Sequence, residues 1–269
     1  MKEQIERIKK YEELMREAET SLKLGWNSER FRKVVNELEE YYASDEWKED
    51  FAADERGELP KTLKRGVLSE DGLYNLLDLC RELIAEEEPS LETKRLILRP
   101  WKEDDAEECF EYAKDPRVGP PAGWPPHKNV EETREIISII LSAPETYAIV
   151  LKKTGEVRGS IALMFSTDHI KRGDEAELGY WIGVPYWGRG LVPEASMELL
   201  RHGFEDLKLE RIWCAYYEGN EKSKRVQEKL GFKHFETREN VPVTQMDEIR
   251  TDHINLLTKE EWLRVCSEL

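Results

Sequence analysis

The chain has 269 residues, 39% of them hydrophobic, which is enough for one large globular domain or two smaller ones with their own cores. A formal charge of −16 speaks against partnership with nucleic acid or an anionic membrane surface, while it would draw amines and basic peptides toward the protein. Cys80, Cys109, Cys214 and Cys266 are widely spaced, without a Cys-x-x-Cys pair or a His/Cys cluster, so neither a metal site nor a disulfide framework is expected; with a charged amino terminus and no apolar run of membrane-spanning length, the expectation is a cytoplasmic protein.

In chain order, Ile5, Ile8, Tyr11, Met15, Ala18 and Leu22 recur at threes and fours and predict an amphipathic helix that Gly25 ends. Asn27 or Ser28 caps a second helix with the stripe Phe31, Val34, Val35, Leu38, Tyr41 and Tyr42, so the two suggest an antiparallel pair. Ser44 caps a short third helix with Trp47 and Phe51, and Ser69 a fourth through Leu73, Leu76, Leu77, Cys80 and Leu83. Asp54 and Glu55 beside Lys61, Lys64 and Arg65 read as solvated ion pairs rather than a binding surface. The polar break Glu86-Glu87-Glu88-Pro89-Ser90 divides a helical domain, residues 1–89, from a second domain, residues 90–269.

The second part opens with a strand from Thr93 to Arg99, Leu96 and Leu98 on one face, stopped by Pro100. Asp104 and Asp105 start a helix through Phe110 and Tyr112. Asp115 to Lys128 is too rich in proline and glycine to be regular, and Asn129 caps a helix through Ile136, Ile137, Ile140 and Leu141. Tyr147–Leu151 and Val157–Phe165 form a hairpin around Thr154-Gly155, and Asp168–Asp174 is a polar connection into the next strand. Beyond the central stretch come a strand Ile212–Tyr217, a helix Asn220–Leu230 ended by Gly231, a closing strand Met246–Leu257, and a last short helix capped by Thr258. The whole is an α+β domain around a mixed sheet, preceded by a small all-α domain.

The central stretch, EAELGYWIGVPYWGRGLVPEA from Glu175 to Ala195, carries the chemistry. Ala176, Leu178, Tyr180 and Ile182 share one strand face, and Glu175, Glu177, Gly179 and Trp181 the other. In Trp187-Gly188-Arg189-Gly190-Leu191-Val192 two glycines let consecutive N–H groups converge on one point, and the helix that follows, with Pro193 in its first turn, adds its positive end there. The ligand this pattern calls for is a phosphate or pyrophosphate.

At these residues the chain resembles the GNAT N-acetyltransferases, whose acetyl-CoA pyrophosphate loop reads Gln/Arg-x-x-Gly-x-Gly/Ala between a strand and a helix. Here Trp187 stands for the Gln/Arg and Val192 for the last Gly/Ala. Within that family it is similar to the ribosomal-protein N-terminal acetyltransferases (RimJ/RimL-like) in LETKRLILRPW (Leu91–Trp101), GWPP (Gly123–Pro126), ELGYW (Glu177–Trp181) and NEKSKRVQEKLGF (Asn220–Phe232). YYASDEWKEDF and the stretch Asp54–Asp71 resemble a small uncharacterised bacterial family of helical domains without assigned chemistry.

The resemblance implies a GNAT fold, with a central, mostly antiparallel mixed sheet flanked by helices. It implies transfer of the acetyl group of acetyl-CoA, as cosubstrate, to a primary amine, either a protein N-terminus or a small molecule, by direct attack in a ternary complex. Backbone groups of Ile182, Gly183 and Val184 would hold pantetheine, as would Asn220. Trp187, Gly188, Arg189, Gly190, Leu191 and Val192 would hold the pyrophosphate, and Trp124 and His127 would line the acceptor pocket unless they serve as local packing. Glu177 is the expected general base, with Glu175 in reserve; Ser223 is the group near the departing thiolate, since the family's tyrosine acid is Gln227 here. A second reading is a non-catalytic acyl-CoA-binding sensor whose helical domain recruits a partner. Whether that domain covers the site or builds a homodimer is left open by the sequence.

Overall fold

The computed structural model describes residues 2–84 and 89–267, so Glu86, Glu87 and Glu88 of the expected linker lie outside the described residues. The chain divides into two compact units, Met1–Pro89 and Ser90–Leu269. Among the described residues no helix is long and apolar enough to cross a membrane.

The first unit is α-helical: α1 (Lys2–Leu24), α2 (Glu29–Ala43), α3 (Asp45–Glu55) and α4 (Glu70–Ile84). Gly25, at φ 64°, closes α1, and its successor's amide reaches back to Ser21 O at 2.8 Å, so the carbonyls at the helix end are satisfied. Ser28 rather than Asn27 caps α2, accepting from the Phe31 amide, and Ser44 caps α3. Ion pairs Lys10–Glu37 and Arg30–Glu17 show that α1 and α2 run antiparallel. Their facing stripes, Ile8, Leu14 and Ala18 against Phe31, Val34, Val35 and Leu38, form the core with Leu73, Leu77 and Cys80 of α4. Asp50 is fully buried there and accepts from Arg7 Nε, Arg7 Nη2 and Tyr41 Oη at 2.9, 2.7 and 2.6 Å, which is what a buried carboxylate requires. Arg65 pairs with Asp54, so that charge cluster is internal bracing.

The second unit is an eight-stranded sheet: β1 (Leu91–Glu92), β2 (Leu96–Pro100), β3 (Thr146–Leu151), β4 (Val157–Met164), β5 (Glu175–Ile182), β6 (Arg211–Tyr217), β7 (Lys233–Val243) and β8 (Glu248–Thr258). The spatial order is β1-β2-β3-β4-β5-β6-β8-β7, and among the described residues β5–β6 is the one parallel pair. Helices α5 (Ala106–Ala113) and α6 (Val130–Ile136) pack on one face through Trp101, Cys109, Ile137 and Val150. On the other lie α7 (Leu191–Arg201) and α8 (Glu221–Lys229), with α9 (Lys259–Ser267) closing the chain. The helix read through Leu141 instead relaxes after Ile136 into a π-helical turn, and Ile140 is 56% exposed.

Strand β7 is missing from the sequence reading. Its eleven residues are mostly exposed on both faces, with register shifts at His234/Glu236 and Arg238/Val241, so the alternation that marks a half-buried strand is absent. Pro242 is tolerated because β7 is an edge.

Strand β4 pairs with β5 from Gly159↔Ile182 to Met164↔Glu177, and at Gly159 an added Cβ would sit 2.2 Å from Trp181 O. Gly159→Ala should therefore lower the stability of this unit by about 1–3 kcal/mol, read as a lower urea midpoint at unchanged slope. An unmoved midpoint would show that β4 and β5 can separate locally without cost.

Candidate active site

The site begins where the parallel pairing ends. Strands β5 and β6 pair only at Glu175↔Arg211, Ala176↔Ile212 and Glu177↔Trp213, and from Leu178 on β5 has no β6 partner. Side chains alternate across the sheet, so the gap has two different linings.

On the α7/α8 face, Tyr180 Oη lies 3.0 Å from Ser223 Oγ, on the first turn of α8. Gln227 Nε2 donates to Ser223 Oγ (3.1 Å) and Ala215 O (3.2 Å), while Gln227 Oε1 accepts from Asn255 Nδ2 (2.7 Å). Burial pushes the Tyr180 hydroxyl well above its ordinary range, so it is a neutral donor at neutral pH. Asn220 caps α8 by accepting from the Ser223 amide (3.2 Å) and donates to Pro121 O (3.2 Å), leaving one amide hydrogen for a ligand.

The glycine loop borders the same face. Gly188 and Gly190 stand at φ 71° and 73°, and Gly190 precedes α7 as its N-cap. Among the described residues, none of the consecutive amides of Gly188, Arg189, Gly190, Leu191 and Val192 has an acceptor in the protein. The Val192 side chain is buried. Glu194, in the first turn of α7, faces away: it accepts from Thr93 Oγ1, Arg95 N and Arg95 Nε at 2.6–2.8 Å. The Arg189 guanidinium stacks over Tyr186, and Lys222 Nζ sits 3.3 Å over the Trp187 ring. Backbone groups just before the loop are largely engaged, Ile182 O by Trp187 Nε1 and the Gly183 amide by Arg158 O; the Val184 amide has no acceptor among the described residues.

On the α5/α6 face stands Glu177. Burial pushes its carboxyl up to about 7, against the pull of the neighbouring Thr167 hydroxyl, with the charges of Asp252 and Asp168 adding to the rise. No Lys or Arg pairs with it among the described residues; its charged-group neighbour is His169, whose Nε2 is 3.8 Å from Glu177 Oε2. Glu175, the reserve, is held by Arg211 Nη1 (3.1 Å), Trp213 Nε1 (3.4 Å) and the Lys171 amide (3.0 Å). Despite burial, those donors keep its carboxyl below the usual range, and it is a structural carboxylate.

Trp124 packs against Trp181 at 5.9 Å and seats on the Trp101 core, and His127 Nδ1 is 2.9 Å from the buried Thr133 hydroxyl. Both therefore brace the loop, and the loop's reach toward the gap comes from Gly123, packed on Tyr217. Sequence reasoning missed the Tyr180 hydroxyl, His169 and Asp252. Tyr180 was legible as a lone hydroxyl on an apolar strand face, whereas nothing in a polar connection or a closing strand marks His169 or Asp252.

A family model described as acetyltransferase (GNAT) domain matches residues 95–233, and one described as domain of unknown function (DUF4298) matches residues 2–87. The uncharacterized N-acetyltransferase p20 of Bacillus licheniformis is 32% identical over 148 residues, 53% of this chain and 82% of that protein. YdaF of Bacillus subtilis (strain 168), which carries a ribosomal N-acetyltransferase name, is 38% identical over 78 residues, 29% of this chain and 41% of that protein. A GNAT-family acetyltransferase structure from Bacillus anthracis shares the fold at TM-score 0.55 and 23% identity, covering 64% of this chain and 99% of that one.

The raised carboxyl has a stability consequence. Between about pH 4.5 and 7 the folded chain keeps the Glu177 proton that the unfolded chain has lost, so stability falls as pH rises through that window and levels off above it. Glu177→Gln should lack this fall, and its stability relative to the wild type should grow by up to about 3 kcal/mol from pH 4 to 8 in urea melts. A difference that stays constant with pH would mean that Glu177 titrates normally.

Proposed function

The chain belongs to the GNAT acetyltransferase family, and from that membership we propose that it transfers the acetyl group of acetyl-CoA to a primary amine by direct attack in a ternary complex. The observation that carries the reading is Glu177: a largely buried carboxyl with no Lys or Arg counter-ion among the described residues, with a pKa near neutrality, at the level where β5 and β6 part. The N-acetyltransferase names of p20 and YdaF support an amine acceptor, a protein N-terminus included.

Free α-amines titrate near 8 and lysines near 10.4, so an acceptor arrives largely as ammonium and must lose a proton before it can attack. Glu177 takes that proton, directly or through water. The nitrogen then adds to the thioester carbonyl carbon. As the C–N bond forms and the C–S bond breaks, the Ser223 hydroxyl protonates the leaving sulfur, and the nitrogen's second proton makes good the loss. Tyr180 and Gln227 hold the Ser223 oxygen in place for this step. The amides of Gly188 to Val192 and the positive end of α7 bind the pyrophosphate, with Arg189 adding charge, and the Val184 amide is the donor left for pantetheine.

Glu177→Gln should lower kcat by about 100-fold or more toward an amine that the wild type acetylates, and remove the acidic limb of the pH–rate profile near 7, while the acetyl-CoA dissociation constant stays within about twofold. Unchanged kcat at saturating amine would take Glu177 out of catalysis. Gly190→Pro deletes one loop amide at a φ that proline cannot adopt, and it should raise the acetyl-CoA dissociation constant at least about tenfold in calorimetric titration. An unaltered constant would contradict the pyrophosphate assignment.

A further inference from the structure

The register of the sheet puts Glu177 of β5, Trp213 and Tyr217 of β6, Asp252 of β8 and Arg238 of β7 on the same face, under the connection that carries His169. His169 Nε2 lies 3.8 Å from Glu177 Oε2 and 3.9 Å from Asp252 Oδ2. On the other side of the ring, Arg238 Nη1 is 3.5 Å from Nδ1. A guanidinium can only donate, so Nδ1 is the accepting nitrogen and the imidazole proton sits on Nε2, between the two carboxyls. Burial and the Arg238 charge hold His169 below its ordinary range, so it offers the carboxyls a hydrogen without a positive charge.

The side chains of Glu177 and Asp252 are 12% and 11% exposed, and among the described residues neither forms an ion pair with Lys or Arg. The Arg238 guanidinium pairs with Glu236, and its charge pulls the Asp252 carboxyl down without offsetting the rise that burial imposes. The other charges facing His169 are Asp168, Glu236 and Lys171, and Asp252 is also faced by His253 and by Tyr217, whose phenol burial pushes up. The Thr167 hydroxyl oxygen beside Glu177 is buried with no hydrogen-bond partner of good geometry. Two buried carboxyls and an unused acceptor around one spot are costly unless a cation with hydrogens to donate enters it.

We propose that Asp252 is the specificity-determining residue that selects a positively charged acceptor: its carboxylate, set across the His169 Nε2–H from Glu177, receives the ammonium group that Glu177 then deprotonates. This rests on the reading of Glu177 as base. It limits the acceptors to amines that are cationic when they bind and places no demand on the rest of the acceptor.

The test compares ethylamine, cationic at about pH 7.5, with 2,2,2-trifluoroethylamine, which is neutral there and of nearly the same shape. Asp252→Asn should raise the KM for ethylamine about tenfold or more and leave that for trifluoroethylamine unchanged, with kcat within about threefold and acetyl-CoA affinity unaltered; Asp252→Glu should restore the preference. Equal shifts for both amines, or none, would overturn the proposal. A second measurement needs no turnover: carbon-13 NMR of Glu177 across pH, in which Asp252→Asn removes a like charge and should move the Glu177 midpoint to lower pH. An unmoved midpoint overturns the pairing even if the wild type acetylates neither amine. If Glu177→Gln retains full turnover while Asp252→Asn still abolishes the charge preference, the base assignment falls and the docking carboxylate stands.

Discussion

The parallel pairing of β5 with β6 stops after three residue pairs, and the rest of the candidate site follows from that interruption. A continuous sheet would seal one face from the other; a gap lets groups on opposite faces act on the same atoms. The strand that loses its partner does not come loose, because β4 pairs with it from Met164 to Gly159. Each unmade ladder bond forgoes only about 0.5–1.5 kcal/mol net, since the freed groups meet water or ligand rather than a dry interior. Period-two alternation then sorts the chemistry: Glu177 goes to the α5/α6 face, and Tyr180, three residues on, to the α7/α8 face beside Ser223.

Electrostatics divides carboxylates that look alike in sequence. Glu175 and Glu177 sit two residues apart on one strand face, yet Glu175 meets a guanidinium, an indole N–H and a backbone amide, while Glu177 meets a neutral histidine and two acids. The first is therefore locked as an anion and the second is poised to exchange a proton. Glu194 shows the same logic at the start of α7. An acid in a first helical turn commonly folds back onto the free amides there, but this one is drawn off by Thr93 and Arg95. Arg95 then donates to Arg189 O, so the glycine loop is braced from outside while its five amides stay open.

Much of this was legible in the sequence wherever local rules decide. Ser28, Ser44, Asn129 and Thr258 cap the helices they precede because their side chains accept from the first-turn amides, a relation contained within four residues. Alternation placed Glu177 and Tyr180 on opposite faces, and the glycine spacing located the amide loop. What escaped depends on contacts distant in the chain. Strand β7 is held by its partner β8 rather than by a buried face of its own, so no apolar period announces it. Ile140 carries a helical stripe that a π-turn rotates into solvent. The meeting of His169 with Glu177 and Asp252 joins a loop to two strands separated by more than seventy residues, and only the folded register brings them together.

The absence of the tyrosine acid from α8 also has a physical resolution. Asn255 donates to Gln227 Oε1, which fixes the orientation of the Gln227 amide and points its nitrogen at Ala215 O and Ser223 Oγ. Ser223 Oγ therefore receives one hydrogen from Gln227, and Tyr180 Oη stands 3.0 Å away as a second partner. Tyr180 Oη also lies 3.3 Å from Ser223 O; when it donates to Ser223 Oγ instead, both lone pairs of the serine oxygen are occupied and the serine's own hydrogen is directed away from the network. A tyrosine at position 227 would put a phenol in the place of the amide and leave Asn255 without its acceptor. The glutamine thus fits a site in which a serine hydroxyl sits one turn earlier on α8 and the phenol comes from β5 instead, so that the strand carrying Glu177 also carries the support for Ser223.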